Sequence, residues 1–300
     1  MMRSAVITWA PMSTLAFAKY EGLGNDFVLI DNRHTPEPVL SAAQAVAVCD
    51  RHRGVGADGV IFLLEARDAD FQMRIFNSDG SEAQMCGNGI RCLAHYARTL
   101  GIEPTADRYR VQTGAGVLDI DLLPDGQVRV DMGAPALLAG EIPTTLAPAD
   151  QKVIAAPLNV AGSDWSVTCV SMGNPHAVIF VPDLEAIDLE RIGPLFEHER
   201  HFPERINTHF VRVLSPTHLQ VKVWERGAGA TLACGTGACA VLVAAVLNHL
   251  AQEEATVELP GGPLQIRWDS ESNHLLMTGP ARTVFEGTLQ LPPLGSSSTR

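Results

Sequence analysis

Two segments carry a thiol at the point where the pattern predicts a helix to begin: Cys86 in "QMCGNGIRCLAHYARTL" and Cys234 in "LACGTGACAVLVAAVLNHL". A helix start leaves backbone N–H groups without partners, and its dipole favours negative charge. A cysteine there is expected to have a lowered pKa and an accessible thiolate. The adjoining glycines let backbone come close to a ligand, and their free N–H groups suit a carboxylate. Two such thiols, opposed across a carboxylate cradle, fit inversion at a carbon next to that carboxylate. One thiolate takes the α-proton from one face, and the other thiol returns a proton to the opposite face. Donors aimed at the carboxylate stabilise the developing charge, so no cofactor is expected. "CGNG" lacks the Lys-Ser/Thr of a phosphate-binding loop, which argues against nucleotide binding. No lysine stands in a convincing pyridoxal-phosphate context.

The elements that must position these thiols come from a duplication. At an offset of 148 residues, "FQMRIFN" lies over "LQVKVWE", Asn77 over Glu225 and "CGNG" over "CGTG". Alternating apolar residues (Phe71, Met73, Ile75; Leu219, Val221, Val223) predict a half-buried strand before each loop and helix. The first helix is predicted from about Asn88 to Leu100, stopped by Gly101. The second is apolar on nearly every side, which suits burial within a wrapped sheet. "GNDFVLI" at Gly24 also resembles "GNPHAVI" at Gly173, "GVLDID" at Gly116 resembles "GPLQIR" at Gly262, and "VDMGAP" at Val130 resembles "LMTGPA" at Leu276. Four such matches in one order predict two homologous α/β halves, joined through "GAPALLAGEIPTTLAPAD".

A length of 300 residues agrees with two domains. With 46% hydrophobic and 19% charged residues the chain reads as soluble and globular. A net charge of −12 argues against nucleic acid and anionic lipid as partners. The apolar run at Ala240 to Leu247 is far shorter than a membrane span, so no membrane insertion is expected. The first eleven residues, before Met12, read as a dispensable extension rather than a signal peptide. Six cysteines are too few for a disulfide scaffold and fit a reducing cytoplasm, and their spacing argues against a metal site. Cys92 falls over Ala240 and Cys239 over Arg91, and Cys49 and Cys169 have no repeat partner, so these four read as packing residues.

The strings "EGLGNDFVLID", "DRHRGVGADG", "FNSDGSEAQMCGNGIRC", "MGNPHAV", "PERINTHF" and "WERGAGATLACGTGACA" together resemble the diaminopimelate epimerases, from Ala16 to about Leu291. That resemblance implies an α+β fold shared with proline racemases and phenazine-biosynthesis isomerases. Two pseudo-symmetric domains are then expected, each a mixed, mostly antiparallel sheet around a central helix, with the site in the cleft between them. The expected bounds are 12–131 and 132–280, with a terminal strand near 281–292 returning to the first half. It implies cofactor-independent interconversion of LL- and meso-diaminopimelate in bacterial lysine and peptidoglycan-precursor synthesis, by a homodimer. Cys86 and Cys234 are then the acid/base pair. Gly87, Asn88, Gly235 and Thr236 hold the reacting carboxylate, and Asn25 contacts substrate near the reacting centre. Asn77, Asn174, Asn207 and Arg226 grip the distal amino-acid end, where Arg226 suits a bidentate carboxylate pair. Glu225 and His176 stand beside the thiols, Glu225 also facing a substrate ammonium. Gly59 departs from relatives that carry glutamine there, and no side-chain contact is expected from it.

The residues alone leave blander readings open. Asn77 in "NSDGS" is equally a turn residue, Asn174 before a proline a loop-fixing one, and His176 a satisfied core histidine. Glu225 and Arg226 read as an exposed pair ending a strand. For the whole chain, the alternatives are a proline or hydroxyproline racemase with a smaller substrate, a redox sensor joining Cys86 to Cys234, and an anion-binding module. Oxidative joining of the two thiols is also an expectation of the epimerase reading.

Overall fold

The computed structural model describes residues 13–291. The first half runs β1 (Ser13–Gly22), β2 (Asn25–Asp31), α1 (Ala42–Cys49), β3 (Gly59–Leu64), β4 (Phe71–Asn77), β5 (Glu82–Ala83), α2 (Gly87–Thr99), β6 (Tyr109–Thr113), β7 (Gly116–Leu122) and β8 (Val128–Asp131). The second runs β9 (Ala156–Val160), β10 (Ser163–Ser171), β11 (Pro175–Phe180), α3 (Leu189–Glu197), β12 (Asn207–Ser215), β13 (His218–Glu225), β14 (Gly229–Ala230), α4 (Gly235–Leu247), β15 (Glu254–Leu259), β16 (Gly262–Asp269) and β17 (His274–Gly279), and β18 (Arg282–Leu291) ends it.

The duplication extends to strand register. Parallel pairs form only where a helix crosses over: β2 with β3 and β11 with β12, then β4 with β6 and β13 with β15. Phe27 faces Gly59 as His176 faces Asn207, and Phe71 faces Val111 as Leu219 faces Val257. All other pairings are antiparallel, most of them hairpins between consecutive strands. The equivalent strands β8 and β17 pair antiparallel with each other, Val130 opposite Met277, and so join the halves. β18 returns to pair with β1, the place β9 takes beside β10.

Each half wraps its sheet around one long helix. In α2 the residues Ile90, Leu93, Ala94 and Ala97 recur at helical spacing and are buried. The helix ends at Thr99, capped by Leu100 before Gly101, whose φ of 73° suits the glycine expected at a helix end. In α4 every residue from Gly237 to Ala245 is buried, so the helix needs no polar face. Burying Val241, Leu242 and Val243 contributes about 1.5–3 kcal/mol each. This anchors the α4 N-terminus rigidly. The segment joining the halves is packed rather than loose: Ala139 and Ile142 are fully buried against β10 and β11 residues Cys169 and Ala177. No helix among the described residues is long and apolar enough to cross a membrane.

Candidate active site

The starts of α2 and α4 meet at the join between the halves. A Cβ added to Gly87 would lie 3.7 Å from the Gly235 Cα, and one on Gly235 would lie 3.6 Å from the Gly87 Cα. The fully buried Met277 fills the space beneath them, with its Sδ only 3.0 Å from that added Gly235 Cβ. Glycine at both positions is what allows the two helix dipoles to converge. Cys86 and Cys234 cap these helices in the same extended conformation, with φ of −139° and −131°. The Cys86 Sγ accepts the Gly89 N–H at 3.4 Å, whereas the Cys234 Sγ makes no such cap and lies 3.6 Å from the Thr236 hydroxyl.

A relay of polar groups fixes the surroundings of Cys86. Its thiol points to the Asn25 Oδ1 at 3.8 Å, which also accepts from the Asn88 amide at 3.2 Å. The Asn25 amide donates to the Asp58 carboxylate at 2.7 Å, and Arg51 bridges Asp58 to Asp26. The buried Lys19 pairs with Asp26 as well. Asn25 therefore cannot rotate without breaking a charge-assisted bond. Asn88 also donates to the Ala233 carbonyl at 3.4 Å, so one amide spans both halves. Its own carbonyl accepts from Arg91 at 3.0 Å. Beside Asp58, a Cβ on Gly59 would stand 2.8 Å from the Phe76 carbonyl, so a larger residue there requires the backbone to move.

The Cys234 side is built differently. Glu225 accepts a bond from the Thr231 hydroxyl at 2.5 Å and interacts with the Cys234 thiol. His176 is fully buried, with its Nε2 2.9 Å from the Asn174 Oδ1 and its Nδ1 2.9 Å from the His209 Nε2. That chain is satisfied when His209 donates to His176 and His176 donates to Asn174. His209 presses on the first turn of α4, since a Cβ on Gly237 would meet its Cε1 at 2.3 Å and the Cys234 Sγ at 3.0 Å. Asn207 donates to the Pro175 carbonyl at 2.8 Å and accepts the Arg226 N–H at 2.9 Å. The Arg226 guanidinium donates to the Glu204 carbonyl at 2.9 Å. Asn77 sits in its turn, bonded to the Ser81 hydroxyl at 2.9 Å.

The lowered thiol pKa expected at the helix starts is not found. Burial pushes Cys86 up, only partly offset by the Gly89 and Asn88 N–H groups. Burial pushes Cys234 well above the ordinary thiol value, and the Glu225 carboxylate adds to it. Desolvation of the charged form outweighs the helix terminus here. Burial also raises Glu225, opposed by the Thr231 and Cys234 contacts. His176 lies well below the usual imidazole value through burial, with His209 and Arg226 adding, and His209 is pulled down to about 3 by burial. Both imidazoles are neutral near pH 7. The other four thiols are buried and free, with Cys49 pushed up to about 11 and Cys92, Cys169 and Cys239 to about 12.

Four residues of this region carried no assignment from the sequence: Asp58, Arg91, Glu197 and His209. Asp58 had a signal, a carboxylate two residues from a glycine-rich turn beside a strand. Glu197 had none. It is buried at the end of α3 and accepts from the Trp224 indole and the Gly227 N–H, fixing the turn that presents Arg226.

The fold, a duplicated α+β unit with a sheet around each central helix, is also that of a probable proline racemase from Agrobacterium radiobacter K84, with a TM-score of 0.67, 15% identity and 94% of each chain covered. A phenazine biosynthesis protein of the PhzF family from Bacillus anthracis matches with a TM-score of 0.66 at 18% identity, covering 93% of this chain and 99% of that one. The likeness defines the class of fold, a duplicated α+β architecture with paired helix starts at its centre. The family model described as diaminopimelate epimerase matches residues 17–138 and 168–284. The diaminopimelate epimerase of Cyanothece sp. (strain PCC 7425 / ATCC 29141) is 63% identical over 92% of this chain and 100% of its own. That of Synechococcus sp. (strain JA-3-3Ab) is 61% identical over 92% and 98%. The chain belongs to the diaminopimelate epimerase family, and it is an isomerase.

Proposed function

We propose that the chain interconverts LL- and meso-2,6-diaminopimelate by inversion at one α-carbon, with Cys86 and Cys234 as the two proton carriers. The observation that carries this reading is the meeting of two equivalent cysteine-capped helix starts, one from each copy of the duplication. A carboxylate held between them is addressed by unpaired N–H groups of both helices. Those donors stabilise the charge that grows on the carboxylate as the α-proton leaves. The α-carbon is then flanked by a thiol on each face. The proton removed by one sulfur stays on it, and the opposite sulfur delivers its own. Asn25 and Asn88 keep the Cys86 side in register, and Thr236, Glu225 and His176 serve the Cys234 side. Glu225, with its carboxylate half-buried, suits a substrate ammonium. Arg226, Asn174, Asn207 and Asn77 hold the distal end. In the reading that follows from the family, the product feeds lysine and peptidoglycan-precursor synthesis in the cytoplasm and the enzyme is a homodimer that needs no cofactor. The halves 12–131 and 132–280 act as its two domains, with 281–292 grouped with the first because β18 pairs with β1.

The test is solvent isotope uptake. Reduced protein without added cofactor, incubated with diaminopimelate in deuterium oxide, is expected to place deuterium at one α-carbon, read by proton NMR. Absence of uptake overturns the reading.

The pH dependence follows from the thiols. Both have raised pKa values, and the base must be ionised, so the active fraction of free enzyme grows as pH rises. The kcat/KM is expected to climb through neutrality and past about pH 8.5, the ordinary thiol value. A plateau reached below about pH 6.5 in the pH–rate profile would contradict buried, neutral thiols.

A further inference from the structure

The largest fully buried side chain among the described residues is Arg91, one turn into α2 behind Cys86. Its guanidinium donates to the Pro280 carbonyl at 3.2 Å, the Gly87 carbonyl at 3.2 Å and the Asn88 Oδ1 at 3.0 Å, and one Nη lies 3.8 Å from the Met277 Sδ. Every one of these acceptors is neutral. Among the described residues it forms no ion pair, although a buried charge without a counter-ion costs several kcal/mol. The surroundings are shaped to keep it: Cβ atoms on Gly22 and Gly279 would stand 3.2 Å and 3.3 Å from its nitrogens. An arginine stays charged at neutral pH even where burial pulls its pKa down, as it does here. The duplication places Cys239, an uncharged residue, at the equivalent position of α4. The two halves therefore differ in charge behind caps of matching backbone conformation. The Cys86 side has a fixed cation, and the Cys234 side has the Glu225 carboxylate.

We propose that Arg91 is a positioning residue that makes the two thiols unequal, so that Cys86 ionises first and Cys234 keeps its proton. This rests on the two-thiol reading above and adds a direction to it. The guanidinium acts through Gly87 and Asn88, holding the carbonyl of each away from the sulfur and turning the Asn88 NH2 toward Asn25 and Ala233. The enzyme that enters turnover then carries S⁻ on Cys86 and S–H on Cys234. After one inversion the Cys86 sulfur holds the α-proton and Cys234 is the thiolate, so the pair must be reset by exchange with water or by turnover of the opposite isomer. The other groups facing these sulfurs are Glu225 from β13, which opposes ionisation of both, and Glu21 from β1 with Cys92 and Cys239, which face the guanidinium.

The experiment titrates each thiol without substrate. The full chain is treated with iodoacetamide at a series of pH values, and mass spectrometry reads the alkylation midpoints of Cys86 and Cys234 separately. The midpoint, unlike the rate, does not depend on the greater exposure of Cys86. Cys86 is expected to titrate at least about one pH unit below Cys234. Arg91→Gln is expected to shrink that gap by about one unit and Arg91→Lys to retain most of it. Cys234 titrating first in the parent protein overturns the proposal, even if Arg91→Gln fails to fold. So does an unchanged gap in folded Arg91→Gln. Because no turnover is measured, these outcomes are separate from a failure of deuterium uptake.

Discussion

Cys86→Ala and Cys234→Ala are each expected to lower the rate of diaminopimelate inversion by at least about a hundredfold, since a positioned acid or base contributes roughly 10²–10⁴ and no other titratable side chain caps either helix. The variants should fold. Cys234 makes no capping bond, and Cys86 gives up its 3.4 Å capping bond from the Gly89 N–H, a loss of about 1 kcal/mol, together with its long contact to the Asn25 Oδ1. Their residual chemistry should differ in an informative way. With one sulfur left, a proton can leave and return only on the face that sulfur occupies. Each variant is therefore expected to exchange solvent deuterium slowly into one isomer with retention, and the two variants should choose opposite isomers. Chiral chromatography of isotope-labelled product separates retention from inversion. Full turnover by either variant, or exchange into the same isomer by both, would show that the two thiols do not work on opposite faces.

The placement of these thiols was legible in the sequence because it depends on local chemistry. A Cys-Gly-x-Gly string before an apolar helix, repeated at constant spacing, signals a cap, and the caps stand where the spacing predicted. The strand before each loop was legible for the same reason, since the alternating apolar residues of β4 and β13 recur at the same offset. The sign of the thiol shifts was not. It depends on how much water the fold excludes, and the groups that exclude it around Cys86 include Asn25, Ala233 and Met277, which come from both halves. Arg91 was hidden for a related reason. Charged residues in amphipathic helices ordinarily face solvent, and the residues that enclose this one, among them Gly22, Met277, Gly279 and Pro280, are remote in the chain. His209 reads as one polar residue in a strand until β11 and β12 pair and bring it against His176.

Arg226→Met should cost binding rather than chemistry. The turn that carries Arg226 is locked before substrate arrives: Glu197 accepts from Gly227 at 2.9 Å and from the Trp224 indole at 2.8 Å, and Asn207 accepts the Arg226 N–H. With the backbone of the turn fixed and the guanidinium oriented by the Glu204 carbonyl at 2.9 Å, less ordering is left to pay on binding a carboxylate. Removing one partner of a desolvated charge pair costs about 2–5 kcal/mol. That corresponds to roughly 30-fold to several-thousand-fold in kcat/KM. The distal carboxylate keeps its charge throughout proton transfer at the other end, so the loss is expected in KM with kcat nearly unchanged. Lysine supplies the control, being diaminopimelate without the distal carboxylate. For α-proton exchange on lysine, the parent protein already lacks the interaction, and the variant should exchange at nearly the same slow rate. An equal fractional loss on lysine and on diaminopimelate would mean that Arg226 supports the fold of its turn and does not hold the second carboxylate.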